Sequence, residues 1–442
     1  MRWGIFAAVS EAPVSEMPVS EMLVPEAPVT VSPLRRRWIV GVMLFWMWSM
    51  GTVARAPMAI ALLALALTAL CTFSRKRPYV RRSDEIRARW RGLRRRPDYY
   101  LPGGLLLAYV IALAYVDDWD FLQTRIQLSA QALGIPLILY VLHPTVSRYR
   151  ERLWLGFGVF AAVLGAAATG YVLLNFDAFL VALGKSRSVP TAVGHVRTGM
   201  ILAVAAVAMC YQAVGSWAGL VRLPRWHALA SAVLAVLLVG SIHVVVIRTA
   251  LVMFYVGAGV LLLRLVLTRL SWRQSAVAVA LVAGGIGLVA YGSPTLVRKA
   301  RMTVYDIGKL GQADAADYSD GGRVLSQEAA LRILREDPWW GAAPEGLRVR
   351  QRETYAEMGV AEVPHLPHNQ WLFSWAAVGA VGAIGVGCVV FAPAFRQNWL
   401  REPLVAEAVA MVAALTLADA CLESDVGVGV AVLGVWLGKA RG

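Results

Sequence analysis

Residues 321–341 read G-G-R-V-L-S-Q-E-A-A-L-R-I-L-R-E-D-P-W-W-G, and residues 365–379 read H-L-P-H-N-Q-W-L-F-S-W-A-A-V-G. The first stretch is charged and helix-patterned; the second turns apolar at Gln370. Both belong to the segment 293–368 and its exit, the only long hydrophilic segment set between apolar runs. On either side of it the chain is one apolar run after another, each near the ~18–20 residues that cross a bilayer. The expected fold is therefore an all-α polytopic membrane protein whose large loop, 293–368, carries amphipathic helices.

Composition agrees. Of 442 residues, 58% are hydrophobic, against about 45–50% in a soluble domain, and mean hydropathy is +0.59. The formal charge of +15 does not imply nucleic acid. The arginines sit in short loops between runs, the positive-inside pattern, and their partners are membrane lipids. Cys71, Cys210, Cys388 and Cys421 lie far apart in or beside apolar runs. That spacing suggests neither a disulfide frame nor a zinc site.

In chain order, residues 1–36 form an expected disordered cytoplasmic tail with a short Pro- and Glu-rich repeat (A-P-V-S-E-M, P-V-S-E-M). The tail lacks the basic and apolar regions of a signal peptide. Arg35, Arg36 and Arg37 then hold the N-terminus inside. Nine spans are expected over 37–292, at 37–54, 56–73, 99–116, 126–146, 154–175, 199–221, 228–247, 249–267 and 275–292. Three more follow over 369–442, at 369–393, 404–421 and 425–439, making about 12 transmembrane helices. The loop 74–98, with eleven arginines and lysines, is the strongest cytoplasmic anchor. Both termini then lie in the cytoplasm and 293–368 lies outside.

A loop longer than about 12–15 residues usually has a function. Asp320 or Gly321 can cap a helix from Arg323 to Glu336, with Val324, Leu331 and Leu334 on one face. Asp337-Pro338 stops it. Trp339 and Trp340 read as interface anchors. A second helix is expected from Pro344 to about Met358. Both helices are expected to lie on the outer membrane face.

Basic residues on the outer side break the charge rule and so carry information. They are Arg187, Arg197 in G-H-V-R-T-G, Arg248 in V-V-V-I-R-T-A-L, and the loop arginines. Arg248 sits in a turn so tight that it lies near membrane depth, where an arginine costs about 2.5–3.5 kcal/mol on insertion scales. Such a residue either faces a wet cavity or snorkels to headgroups. Arg323, at a helix start, is either part of an anion site or a solvated helix-end charge. His368 stands where the loop enters a span, and an imidazole there can take or give a proton near neutral pH. His365 is a second ligand or a bystander. Asp314, Asp317 and Asp320 lack an EF-hand frame, and no metal-binding motif is present. Neither a metal nor another cofactor is expected.

An Arg-Thr-Gly at a span start, an Arg-Thr-Ala-Leu in a tight outer turn, and a loop with G-R-x6-A-L-x6-P-x-x-G closing on H-N-Q-W-L together resemble the bacterial O-antigen ligase family. That family belongs to a wider ligase/polymerase superfamily, and the resemblance covers roughly 37–440. Two places depart from the pattern: Ile247 precedes Arg248, and Trp339-Trp340-Gly341-Ala342-Ala343 follows Pro338. The resemblance implies a GT-C-like helical bundle in the bacterial inner membrane with its active site on the periplasmic face. It implies transfer of O-antigen polysaccharide from undecaprenyl diphosphate to lipid A–core, inverting and metal-independent. In those terms His368 and Arg248 are the catalytic candidates. Arg197, Arg323, Asn369, Arg187 and His365 are the substrate-binding candidates. An O-antigen polymerase or a protein O-oligosaccharyltransferase would use the same donor. A lipid-linked-glycan flippase would also use intramembrane arginines, but needs no histidine at a loop–span junction.

Overall fold

The computed structural model describes residues 33–51, 56–73, 78–80, 91–184, 189–191, 193–292, 294–308, 319–342, 346–360, 365–395, 399–402 and 404–438. The tail 1–32, Arg187, Asp314, Asp317 and most of the arginines of the loop 74–98 lie outside these residues.

The helices follow the apolar runs. They are α1 (Pro33–Ser49), α2 (Ala56–Leu70), α3 (Gly103–Ala112), α4 (Trp119–Leu174), α5 (Phe176–Gly184), α6 (His195–Trp217), α7 (Arg225–Val245) and α8 (Arg248–Thr268). Then come α9 (Trp272–Gly292), α10 (Pro294–Gly308), α11 (Ser319–Glu336), α12 (Leu347–Glu357), α13 (Gln370–Val378), α14 (Ala380–Phe391), α15 (Val405–Ala418) and α16 (Asp425–Gly438). The fold is helical but not purely so. Cys71–Phe73 (β1) pairs antiparallel with Pro78–Val80 (β2), Cys71 opposite Val80, a small departure from the all-α expectation. Among the described residues, four helices are long and apolar enough to cross a membrane: α4, α6, α7 and α8. Several others are shorter; the fourteen residues of α15 rise only about 21 Å against a hydrocarbon core of about 30 Å.

Two predicted spans, 126–146 and 154–175, fall in the single helical stretch α4 of 56 residues. A straight helix of that length would measure about 84 Å, far more than a bilayer. Its contacts show that it folds back. Gln131 donates to Asp425 at the start of α16. Tyr140 packs against Tyr99, next to Asp98, whose carbonyl accepts from Trp436 at the other end of α16. Phe160 is back against Gly51, whose neighbour Met50 touches Gly429 near the start of α16. The reversal lies between Tyr140 and Phe160. Pro144, inside it, cannot donate to the helical ladder and makes the bend cheap there.

α6 is the hub. It is buried on nearly all sides and packs against α4, α7 and α8, as expected of a helix apolar all round. α7 and α8 bury one face each and leave Leu229, Val236, Leu237 and Leu263 outward, the surface that lipid covers. Arg264 of α8 and the buried Glu407 of α15 form an ion pair at 2.9 Å. α1 begins at Pro33 rather than after the arginines, so Arg35 belongs to it. It is buried and donates to the carbonyl of Thr68 at 3.0 Å, at the C-terminal end of α2 where a cation is favoured.

The hydrophilic segment forms a helical cap. α10 was not anticipated. α11 packs on α10, α12 and α13, so it rests on protein and not on membrane alone. Its inward side is Ser326, Ala329, Ala330, Ile333 and Leu334, while Val324 and Leu331 of the expected apolar face are exposed. Small residues let α11 approach α13 closely, and that outweighs the hydrophobicity of Val324 and Leu331.

The predicted span 369–393 is broken at Gly379, with φ of 76° between α13 and α14. The segment after α11 docks into this break. Ala342 N–H donates to Ala376 O at 2.7 Å and Ala380 N–H to Trp339 O at 3.2 Å. A Cβ on Gly379 would stand 1.8 Å from Trp339 O. Only glycine allows this approach and this φ. Trp339 and Trp340 are thus fixed through their backbones while their rings stay exposed.

Candidate active site

The site is assembled where α11, α12, α13 and the turn before α16 meet. Asn369 caps α13: its Oδ1 accepts from Trp371 N at 2.9 Å and Leu372 N at 3.1 Å. This satisfies two of the free N–H groups of a helix start. Two glutamines from the cap hold the approach. Gln327 of α11 donates to the His368 carbonyl at 3.4 Å, and Gln351 of α12 donates to the His365 carbonyl at 3.2 Å.

Gln370 then ties α13 to the segment after α15. Its Nε2 donates to Glu423 Oε1 at 2.8 Å and Ser374 Oγ at 3.1 Å, and its Oε1 accepts from Leu422 N at 2.8 Å. Glu423 pairs with Arg125 of α4 at 2.5 Å, and the Arg125 guanidinium lies over Phe121 and Phe373. Burial pushes the Glu423 carboxyl up, against the pull of Arg125 and Gln370. This buried lattice fixes residues 419–423 relative to α13.

As a result, Asp419 faces His368. Asp419 Oδ1 lies 3.3 Å from His368 Nδ1 and also accepts from Ala420 N at 2.8 Å. Asp419 is 9% exposed. Burial alone would raise its carboxyl, but the His368 hydrogen bond and the charges of His368 and Arg323 outweigh that and hold it below the usual carboxylate range. An ionised carboxylate only accepts, so Nδ1 carries the hydrogen and Nε2 of a neutral His368 is the open lone pair.

A cationic group stands beside this pair. Arg323 of α11 is close enough to act on Asp419. His195, the first residue of α6, lies within electrostatic reach of Arg323, Asp419, Lys299 and Arg248. The packing accounts for this. A Cβ on Gly199 would press on Ile247 and Ala250, so α6 and α8 start in contact. His195, one turn before Gly199, points along the same face. Arg248 Nη1 donates to Thr303 Oγ1 of α10 at 3.1 Å, and Lys299 is one turn before Thr303. Val246, just before Arg248, adopts the left-handed conformation with φ of 52°. For a β-branched residue this costs on the order of 1–3 kcal/mol, a strain that recurs at functional sites.

Of the sequence candidates, His368, Arg323 and Arg248 are gathered here with Asp419, His195 and Lys299. Asn369 is at the site, but its side-chain oxygen is engaged in capping. His365 has an exposed side chain and contributes its carbonyl. Arg197 is exposed, two residues beyond His195 and so on a different side of α6. Arg187 lies outside the described residues. Asp419 was missed because it sits 51 residues after His368. Its one signal is that Asp419, with Glu407, Glu423 and Asp425, interrupts an otherwise apolar C-terminal run, and acids within apolar runs tend to be functional. His195 was passed over for its neighbour Arg197.

The family described as O-antigen ligase matches residues 246–387. That match begins at the strained turn before Arg248 and takes in Arg323, His365, His368 and Asn369. The search of curated proteins finds no match.

Proposed function

We propose that this membrane protein, which matches the O-antigen ligase family over residues 246–387, transfers O-antigen polysaccharide from undecaprenyl diphosphate to lipid A–core at the periplasmic face of the bacterial inner membrane. The observation that carries the chemistry is the His368–Asp419 pair at 3.3 Å, set beside the arginines. A sugar hydroxyl is a weak nucleophile. His368 Nε2 takes its proton as its oxygen attacks the anomeric carbon of the donor. The new bond is acceptor oxygen to carbon; the bond from that carbon to the diphosphate oxygen breaks, and its electron pair leaves with the diphosphate. A single displacement inverts the anomeric centre. Asp419 keeps the ring in the reactive tautomer and stabilises the imidazolium that forms.

Charge develops on the leaving diphosphate. In this reading Arg248 and Arg323 receive it, because guanidinium groups pair with phosphate oxygens in a fixed fork and stay charged. In this reading Arg197 and Arg187 bind the donor away from the Arg248–Arg323 pair, and Asn369 and His365 serve the acceptor side. Electrostatic stabilisation of this kind needs no bound cofactor.

Purified protein supplied with lipid-linked donor and lipid A–core tests the reading. The expected result is covalent transfer that is lost in His368→Ala while donor binding is kept. Donor movement without transfer would make it a flippase. Glycan lengthening on the lipid-linked acceptor would make it a polymerase.

A further inference from the structure

We propose a second lipid site, separate from the active site: a groove that holds one anionic phospholipid of the arginine-rich leaflet, its headgroup on Arg94. A cavity of about 770 Å³ opens between α3, the first half of α4, and α14. It is lined by Leu101, Leu107 and Ile111 of the α3 region, Leu133 of α4 and Ile384 of α14, with Arg94 among its walls. That volume lies in the range of about 300–1,000 Å³ typical of small-molecule sites. The walls are apolar apart from Arg94 and the Tyr100 hydroxyl, the chemistry of an acyl chain with a charged head.

Three observations select the occupant. Arg94 is exposed, and Arg91 and Arg95 beside it are exposed too. Asp98, four residues beyond Arg94, is buried and paired with Arg96. A net cationic mouth calls for an anionic head. From Leu101 to Ile111 the helix rises about 15 Å, half of a ~30 Å hydrocarbon core, so the groove accepts a chain of one leaflet.

The third observation concerns position. Arg94 lies at the end of the molecule where Trp436 bonds to Asp98, whereas Asp419 lies beyond the opposite end of α16. A donor whose diphosphate sits at His368 cannot also place it at Arg94. The donor's diphosphate therefore does not reach this mouth, and the groove is assigned to a resident phospholipid. It is also well built: a Cβ on Gly104 would stand 2.7 Å from Cys388 Sγ, so α3 and α14 touch along its floor.

The test is native mass spectrometry of the full chain in detergent, titrated separately with phosphatidylglycerol and phosphatidylcholine. One phosphatidylglycerol is expected to bind more tightly than phosphatidylcholine. Arg94→Glu should weaken phosphatidylglycerol by about 10- to 30-fold, as for reversing one charge at a lipid head, and leave phosphatidylcholine unchanged. Leu107→Trp, on an exposed lining position, should fill the groove and weaken both. Unchanged phosphatidylglycerol affinity in either variant, with wild-type melting, overturns the site. Displacement of phosphatidylglycerol by equimolar undecaprenyl phosphate overturns the choice of occupant.

Discussion

Asp419→Asn isolates the charge at the proposed base. Asp419 Oδ1 is held by Ala420 N at 2.8 Å and meets His368 Nδ1 at 3.3 Å. An asparagine can keep its oxygen in that place and still accept both hydrogen bonds, so packing and tautomer survive and only the negative charge goes. In the transition state the imidazole becomes positive. Opposite unit charges about 4 Å apart attract by about 4 kcal/mol at an effective dielectric near 20. The His368 side chain is 35% exposed, and solvent screening takes away up to about half of that. A loss of about 2–4 kcal/mol corresponds to a fall of roughly 30- to 1,000-fold in kcat. The assay is glycan transfer at saturating donor and acceptor, with thermal melting as the fold control. KM for donor should change little, because Asp419 is not placed on the diphosphate. Asp419 itself remains ionised through the working range: its folded carboxyl lies below the usual value, so its contribution is present above the unfolded pKa and is lost only as pH falls through the folded one. Wild-type kcat in an Asp419→Asn protein that melts normally would refute the role of this pair.

Arg248→Ala and Arg197→Ala should each reduce transfer at limiting donor in protein that inserts normally, and Arg248→Lys should restore part of it, since lysine has charge but no planar fork; wild-type rates for Arg248→Ala would remove it from the diphosphate clamp. Gly379→Ala should destabilise by more than about 4 kcal/mol, because the new Cβ meets Trp339 O at 1.8 Å and the φ of 76° is unfavourable; the readout is proteolysis of the cap together with the melting temperature, and an unaffected cap would mean the break is not held by that contact. A single cysteine introduced by Ser319→Cys in a cysteine-free background should react with an impermeant reagent from the periplasm; reaction only after the inner membrane is opened would invert the topology.

The sequence by itself determined that the chain is helical and where most of the helices run. Periodic apolar runs, arginine-rich connections and the Asp337-Pro338 stop are local signals, and lipid or protein burial rewards them without reference to distant residues. It also singled out His368, Arg248 and Arg323, because a histidine at a loop–span junction and cations at outer helix starts are unusual in any one-dimensional reading. Tertiary structure alone decided what those residues face. Asp419 reaches His368 because Gln370 bonds to Glu423 and Leu422, and Glu423 in turn is pinned by Arg125 of a helix far earlier in the chain. His195 and Lys299 join the cationic group because Gly199 lets α6 and α8 start in contact and Thr303 receives Arg248. The fold-back within α4 falls where the hydropathy pattern leaves a charged turn between the runs 126–146 and 154–175. The break at Gly379 escaped that pattern: the apolar run continues through it, and only the approach of the Trp339 backbone reveals the change of direction. Hydropathy reports how much each residue gains by leaving water; it does not report which neighbour replaces that water, and the neighbours make the site.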